Sequence, residues 1–340
     1  MMEDLDKNMK AIALIISLIA TAAWAQQPAP AARYPAQITF RVLTDADAPV
    51  PNVEVTTSTF LYWQPGEGFG RDIYEENKGR TNDEGLATIS FTSERSDCNY
   101  GIYDVSGYYS TRNLTYRFTE VKAGRWEPWN PTIEVVLKPV LKPVAMYARK
   151  IGGGRPFEIP ALNKPAGFDS MVGDWIAPWG KGKSSDLIIT LKEVVPFVEG
   201  TKPFNYILSI SFPNERDGIQ PVFATPHKGS DLLLPRYAPE DGYAPILEKQ
   251  MAIFAEGKPM KFDTREDQNY FFRVRTVLDE QGRIKSALYG KILGDIKFGV
   301  NRVLRFNYYL NPTSLDRNME FDPKNNLFTG LRGLEEIEAP

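Results

Sequence analysis

The stretch Thr81-Asn82-Asp83-Glu84-Gly85-Leu86-Ala87-Thr88-Ile89-Ser90-Phe91 decides the fold class. Ala87, Ile89 and Phe91 alternate with Thr88 and Ser90, the period of two that turns one side of a strand to a core and the other to water. The polar cluster before it is a hairpin turn, and Gly85 supplies the positive φ that a Cβ would penalise. The alternation recurs on both sides, at Ile38, Phe40 and Val42, at Val53 and Val55, at Leu114, Tyr116 and Phe118, and at Ile133, Val135 and Leu137. Turn clusters such as Asp45 to Pro49 and Gln64 to Gly68 separate these runs. No convincing stripe of period 3.6 appears between Tyr34 and Leu137. Short strands at this spacing predict a β-sandwich of about 100 residues.

Within that region Pro51-Asn52-Val53-Glu54-Val55, the Thr81 to Ile89 hairpin and Ser106-Gly107-Tyr108-Tyr109 follow one another in order. This order resembles the carboxypeptidase regulatory-like, transthyretin-like domains, in which a Pro-hydrophobic segment opens the second strand, a T-[DN]-x-x-G-x-A hairpin leads the next, and a Gly-Tyr pair follows. The resemblance implies an immunoglobulin- or prealbumin-like sandwich over residues 36–139 and no active site, since such domains act as spacers or interaction units. The sequence departs from the pattern at Ala48, where glycine is usual, and in a long polar loop expected from Tyr62 to Lys78.

The second half, residues 140–340, begins after Lys138 and Pro139 and reads as a larger β-rich domain. Tyr206, Leu208, Ile210 and Phe212 alternate, Tyr270 to Gly290 forms a long hairpin around Asp279-Glu280-Gln281-Gly282, and Leu304, Phe306 and Tyr308 make another strand. Pro245 to Ala255 reads as a helix, with Leu247, Met251 and Phe254 at i, i+4 and i+7 behind a proline start. The expected class is therefore mainly β, with one or two short helices. Gly173-Asp174-Trp175-Ile176-Ala177-Pro178 and Tyr308 to Pro312 are similar to stretches of secreted bacterial proteins of unassigned function, a likeness that implies no activity.

At the other end of the chain, Lys7 and Lys10 precede the uncharged run Ala11 to Ala20, which leads to Ala23-Trp24-Ala25. Basic start, short apolar run and A-x-A site are the order of a secretory signal peptide, here residues 1–25, and the run is too short for the roughly 20 residues that span a bilayer. Translation from Met9 would give an equally orthodox start. Residues 26–35 are a Pro/Ala-rich tether. The expected product is exported, to the periplasm or outside the cell, with no membrane span after cleavage.

Composition removes several classes of function. Forty Lys and Arg against 43 Asp and Glu give a net charge of −3, without the basic excess that nucleic acid requires. Single Cys98 and His227 residues exclude an intramolecular disulfide and a zinc cluster, and leave no metal site to name. A Ser-His-Asp triad would have to use His227, which reads as a loop residue. Ala177-Pro178-Trp179-Gly180-Lys181-Gly182-Lys183-Ser184 satisfies a relaxed P-loop pattern. A β-branched run follows it in place of a helix, so a glycine-rich turn is expected and no nucleotide or other cofactor. Asn113-Leu114-Thr115 matches a glycosylation acceptor, but a bacterial-type signal peptide argues against its use.

The ligand-binding residues to which the sequence points are Asp174, Trp175 and Trp179. Indole faces beside hydrogen-bonding groups suit the C–H faces and hydroxyls of sugars, and core packing explains the same letters. Trp126 and Trp129 present the same choice. Asp316, Asn318, Glu320 and Asp322 alternate, but Phe321 and Leu327 break the EF-hand pattern, so a solvated strand face is expected. The sequence names no catalytic residue. It is read as an exported binding or structural protein with a glycan or envelope-protein partner. The alternatives are an exported carbohydrate-active hydrolase, for which two carboxyl groups in an open cleft would speak, and an assembly scaffold.

Overall fold

A computed structural model describes residues 32–66, 69–199, 203–225, 229–254 and 259–340. The expected signal peptide, most of the tether and His227 lie outside the described residues. Among the described residues 55% lie in strands and 1% in helical structure, which makes the protein mainly β.

Nine strands belong to the first unit: β1 (Tyr34–Leu43), β2 (Glu54–Gln64), β3 (Arg71–Arg80), β4 (Leu86–Ser93), β5 (Asp97–Ile102), β6 (Thr111–Arg117), β7 (Glu120–Lys122), β8 (Arg125–Glu127) and β9 (Thr132–Val136). β1 pairs antiparallel with β4 and parallel with β9, while β6, β5, β2 and β3 follow one another in a second sheet. The two sheets close on Ile38, Phe40, Val42, Ala87, Ile89 and Val135 from one side and Val55, Cys98, Tyr100 and Ile102 from the other. Each large apolar side chain among them, fully buried, contributes roughly 1.5–3 kcal/mol. Gly85 has φ +75°, and a Cβ there would lie 2.5 Å from the Val42 carbonyl oxygen, so the hairpin needs glycine for space as well as for torsion.

The polar loop expected from Tyr62 to Lys78 is instead most of a β-hairpin, in which Thr56 faces Lys78 and Gln64 faces Arg71. β3 reads Arg-Asp-Ile-Tyr-Glu-Glu-Asn-Lys-Gly-Arg and has no apolar face to reveal it. It is an edge strand, where charges block pairing with other chains.

The second unit adds β10 (Val144–Ile151), β11 (Ala166–Asp169), β12 (Asp174–Trp175), β13 (Leu187–Val195), β14 (Phe204–Ser211), β15 (Gly218–Phe223), β16 (Gly229–Ser230), β17 (Ile246–Ile253), β18 (Lys261–Phe262), β19 (Gln268–Leu278), β20 (Ile284–Phe298), β21 (Leu304–Asn311) and β22 (Phe321–Asn326). One six-stranded sheet runs β15-β19-β20-β21-β10-β22 and the other β12-β11-β13-β14-β17-β18. Phe168, Ile189, Leu191, Tyr206 and Leu208 of the second meet Tyr270, Phe272, Phe306 and Tyr308 of the first. The other face of the first sheet is covered too, by Leu234, Ala238, Met319 and Ile337 packed on Phe271, Ala287 and Tyr309. A sheet buried on both faces reads as a continuous apolar run, which is why Tyr270-Phe271-Phe272 does not alternate.

Two expectations are corrected here. Pro245 to Ala255 is not a helix: Ile246–Ile253 is strand β17, paired with β14 along its whole length. Among the described residues the short helical element is instead the 3-10 turn Gly333–Glu335. The alternating residues from Asp316 to Asp322 are not a solvated face, because Asn318 and Glu320 are buried. Glu320 accepts hydrogen bonds from Tyr109 Oη at 2.9 Å and from the backbone N–H groups of Leu141 and Lys142 at 2.9 and 3.0 Å. It also forms an ion pair with Arg236 at 2.5 Å. This buried carboxylate joins the two units, and β16 adds a further tie by pairing with β6.

Candidate functional site

The segment carrying Asp174 and Lys181 is a long excursion between β11 and β13, braced from below by two carboxylates. Asp169 accepts from the backbone N–H groups of Met171 (3.0 Å), Lys183 (2.9 Å) and Ser184 (3.0 Å) and from Arg275 Nη2 (3.0 Å). Asp186 accepts from Ser170 N (2.8 Å) and Arg275 Nε (2.7 Å). Burial works to raise the Asp169 carboxyl, but these N–H groups and the guanidinium outweigh it and hold it below the ordinary range. Asp186 goes the other way, raised by burial against the pull of Arg275. The P-loop-like stretch 177–184 is a turn region leading into β13, closed by a hydrogen bond from Gly182 N to Trp175 O of 2.8 Å. No helix follows it, so the N-terminal dipole and N–H cradle of a phosphate loop are missing.

Asp174, Trp175 and Trp179 meet three different environments. Trp175 is only 4% exposed. Its ring stacks on Phe157 at 5.0 Å, stands edge-on to Phe168 at 5.8 Å, and its Nε1 donates to the Glu158 carbonyl at 3.0 Å. With its faces covered it cannot stack on a ligand, so its assignment as a binding residue is corrected to core packing. Trp179 is 44% exposed and lies outside the cleft described next. The paired tryptophan platform is not formed. Asp174 is half-buried, and its carboxylate accepts from the N–H groups of Trp175 (2.9 Å) and Lys181 (3.1 Å).

Asp174 and Lys181 do border a cleft of about 470 Å³, together with Arg149, Arg155, Arg332 and Glu335. Arg149 is the fixed point: its Nη1 donates to the Gly173 carbonyl and its Nη2 to Glu335 Oε1, both at 2.9 Å, while its buried Nε has no partner among the described residues. Burial works to raise Glu335, but the Arg149 guanidinium outweighs it and keeps the carboxyl ionised below its usual range. Arg155, Lys181 and Arg332 are exposed and form no salt bridge among the described residues. Four cations against two anions leave the cleft with a local excess of two positive charges on a chain that is negative overall. Gly153 lets the wall close, since a Cβ there would run into the Leu334 carbonyl.

Sequence reasoning reached Asp174 and missed the arginines. Arg149 and Arg155 are six residues apart but lie far from Arg332 in the chain, and the pairing of β10 with β22 brings the two regions together. In the first unit Trp126 is buried, its Nε1 donating to the Ser93 carbonyl at 2.9 Å, and Trp129 is partly exposed. Cys98 is buried, and burial pushes its thiol up to about 12, so it is no nucleophile at neutral pH. Among the described residues no three His, Cys, Asp or Glu side chains are grouped to hold a metal ion. No helix among them is long and apolar enough to cross a membrane. No protein-family model matches the sequence, and no curated protein matches it.

Proposed function

We propose that this chain is an exported, non-catalytic binding protein of the periplasm or extracellular space, whose second unit holds an acidic ligand in the cleft of Arg149, Arg155, Lys181 and Arg332. The first unit is read as a carboxypeptidase regulatory-like, transthyretin-like module joined to the second unit. The observation that carries the reading is the convergence of three cations without salt bridges among the described residues around a guanidinium already fixed in place. Such cations can bond carboxylate or phosphate groups, and the mixed donors and acceptors of the rim suit a glycan bearing them.

The hydrolase alternative finds less support. A general acid must hold a proton at working pH, and in this cleft Glu335 is pulled toward its ionised form while both Asp174 oxygens are engaged by backbone N–H groups.

Titration calorimetry with polygalacturonate tests the reading. Binding of the acidic polymer is expected. Hydrogen bonds to charged groups contribute about 1.5–3 kcal/mol, so Lys181→Ala or Arg332→Ala should weaken binding about tenfold or more, and rising salt should weaken it further. No binding of the polymer, or variants that bind it like the parent, would overturn the reading.

A further inference from the structure

The first unit carries a second depression, of about 410 Å³, on the outer face of the sheet formed by β6, β5, β2 and β3. Its floor is a single row across four strands: Glu76 opposite Ser58, Ser58 opposite Asn99, and Asn99 opposite Thr115. Thr115 Oγ1 donates to Asn99 Oδ1 at 2.7 Å, which leaves the Asn99 amide N–H groups to serve a ligand. Glu76 forms no salt bridge among the described residues. One row further along, Thr56 faces Gly101. The ring of Tyr103 occupies the place of the missing side chain: a Cβ on Gly101 would lie 2.6 Å from Tyr103 Oη and 2.7 Å from its Cζ. Tyr103 nevertheless remains 42% exposed. On the opposite side of the polar row, Phe60 faces Tyr74, which is 44% exposed.

An aromatic ring laid on a sheet by a glycine, beside hydroxyls, an amide and one carboxylate, offers an apolar face together with donors and acceptors. The carboxylate accepts hydroxyl hydrogens and repels anions. We infer that this face is a second binding site, for a neutral, hydroxyl-rich glycan, with Tyr103 as stacking platform and Glu76, Ser58, Asn99 and Thr115 as hydrogen-bonding partners. The site is built from the first unit alone and does not depend on the basic cleft.

Saturation-transfer NMR and calorimetry on the full chain, with maltohexaose, cellohexaose and mannohexaose as probes, decide the matter. At least one neutral hexaose should bind. Tyr103→Ala should weaken that binding about tenfold, and Lys181→Ala and Arg332→Ala should leave it unchanged. Should Tyr103→Ala fail to fold, Ser58→Lys fills the depression without emptying the core and should abolish binding. No binding by any of the three hexaoses, binding indifferent to both first-unit variants, or binding lost through Lys181→Ala would overturn the inference. Because the acidic polymer tests the other cleft with different variants, failure of either site is read separately.

Discussion

Trp175 and Trp179 lie four residues apart and should respond to truncation in opposite ways. Trp175 is wedged between Phe157 and Phe168 with its N–H bonded, so Trp175→Ala empties a packed site and should cost about 3–5 kcal/mol. Trp179 is open to water, and Trp179→Ala should change stability by no more than about 0.5 kcal/mol. Chemical denaturation of the two variants checks both values. Equal losses would mean that the segment from 174 to 181 packs differently. The sequence already offered both fates for a tryptophan here, but it could not assign them: a buried indole and a rim indole occur with the same Gly and Pro neighbours. Asp174 lies in the segment that the sequence singled out, whereas Arg149 and Arg332 were not legible, since their meeting depends on pairings between distant strands.

At the scale of elements, β17 shows how one charged residue can disguise a strand. Leu247, Met251 and Ile253 pack toward the core, and the residue that completes their alternating face is Lys249, which is buried. With a lysine in the middle of the inward face, the remaining apolar residues fall at helical spacing. Lys249 is tolerated there because its Nζ lies 2.5 Å from Asp295 Oδ1, which also accepts from Tyr270 Oη at 2.8 Å. Removing one partner strands a buried charge. Lys249→Met should therefore destabilise by about 3–5 kcal/mol, and adding Asp295→Asn should recover part of the loss. A double-mutant cycle measures the coupling, and additive losses would show that the pair is not linked. The alternating strands β1, β4 and β14 were legible because their inward faces contain no such exception, and β3 escaped because it has no apolar face at all.

Across the whole molecule, the joint between the units rests on Glu320. Burial works to raise its carboxyl, but Arg236, the Leu141 and Lys142 N–H groups and Tyr109 outweigh it, so its folded pKa lies below the ordinary 4.5. A carboxylate with a depressed folded pKa contributes stability that is present above its unfolded pKa and is lost as pH falls through the folded value. Thermal melts should accordingly show stability decreasing below about pH 4.5, and Glu320→Gln should be less stable at neutral pH with a flatter acid limb. An unaltered acid limb in that variant would place the sensitivity elsewhere.

The basic cleft also has a history within each molecule. A polypeptide is made from its first residues onward, and the strand that carries Arg149 emerges long before Arg332 and Glu335. Until that late segment settles against Gly153 and pairs with Arg149, the wall of the cleft is absent. A nascent chain thus lacks the complete set of charges until its own synthesis has passed residue 335.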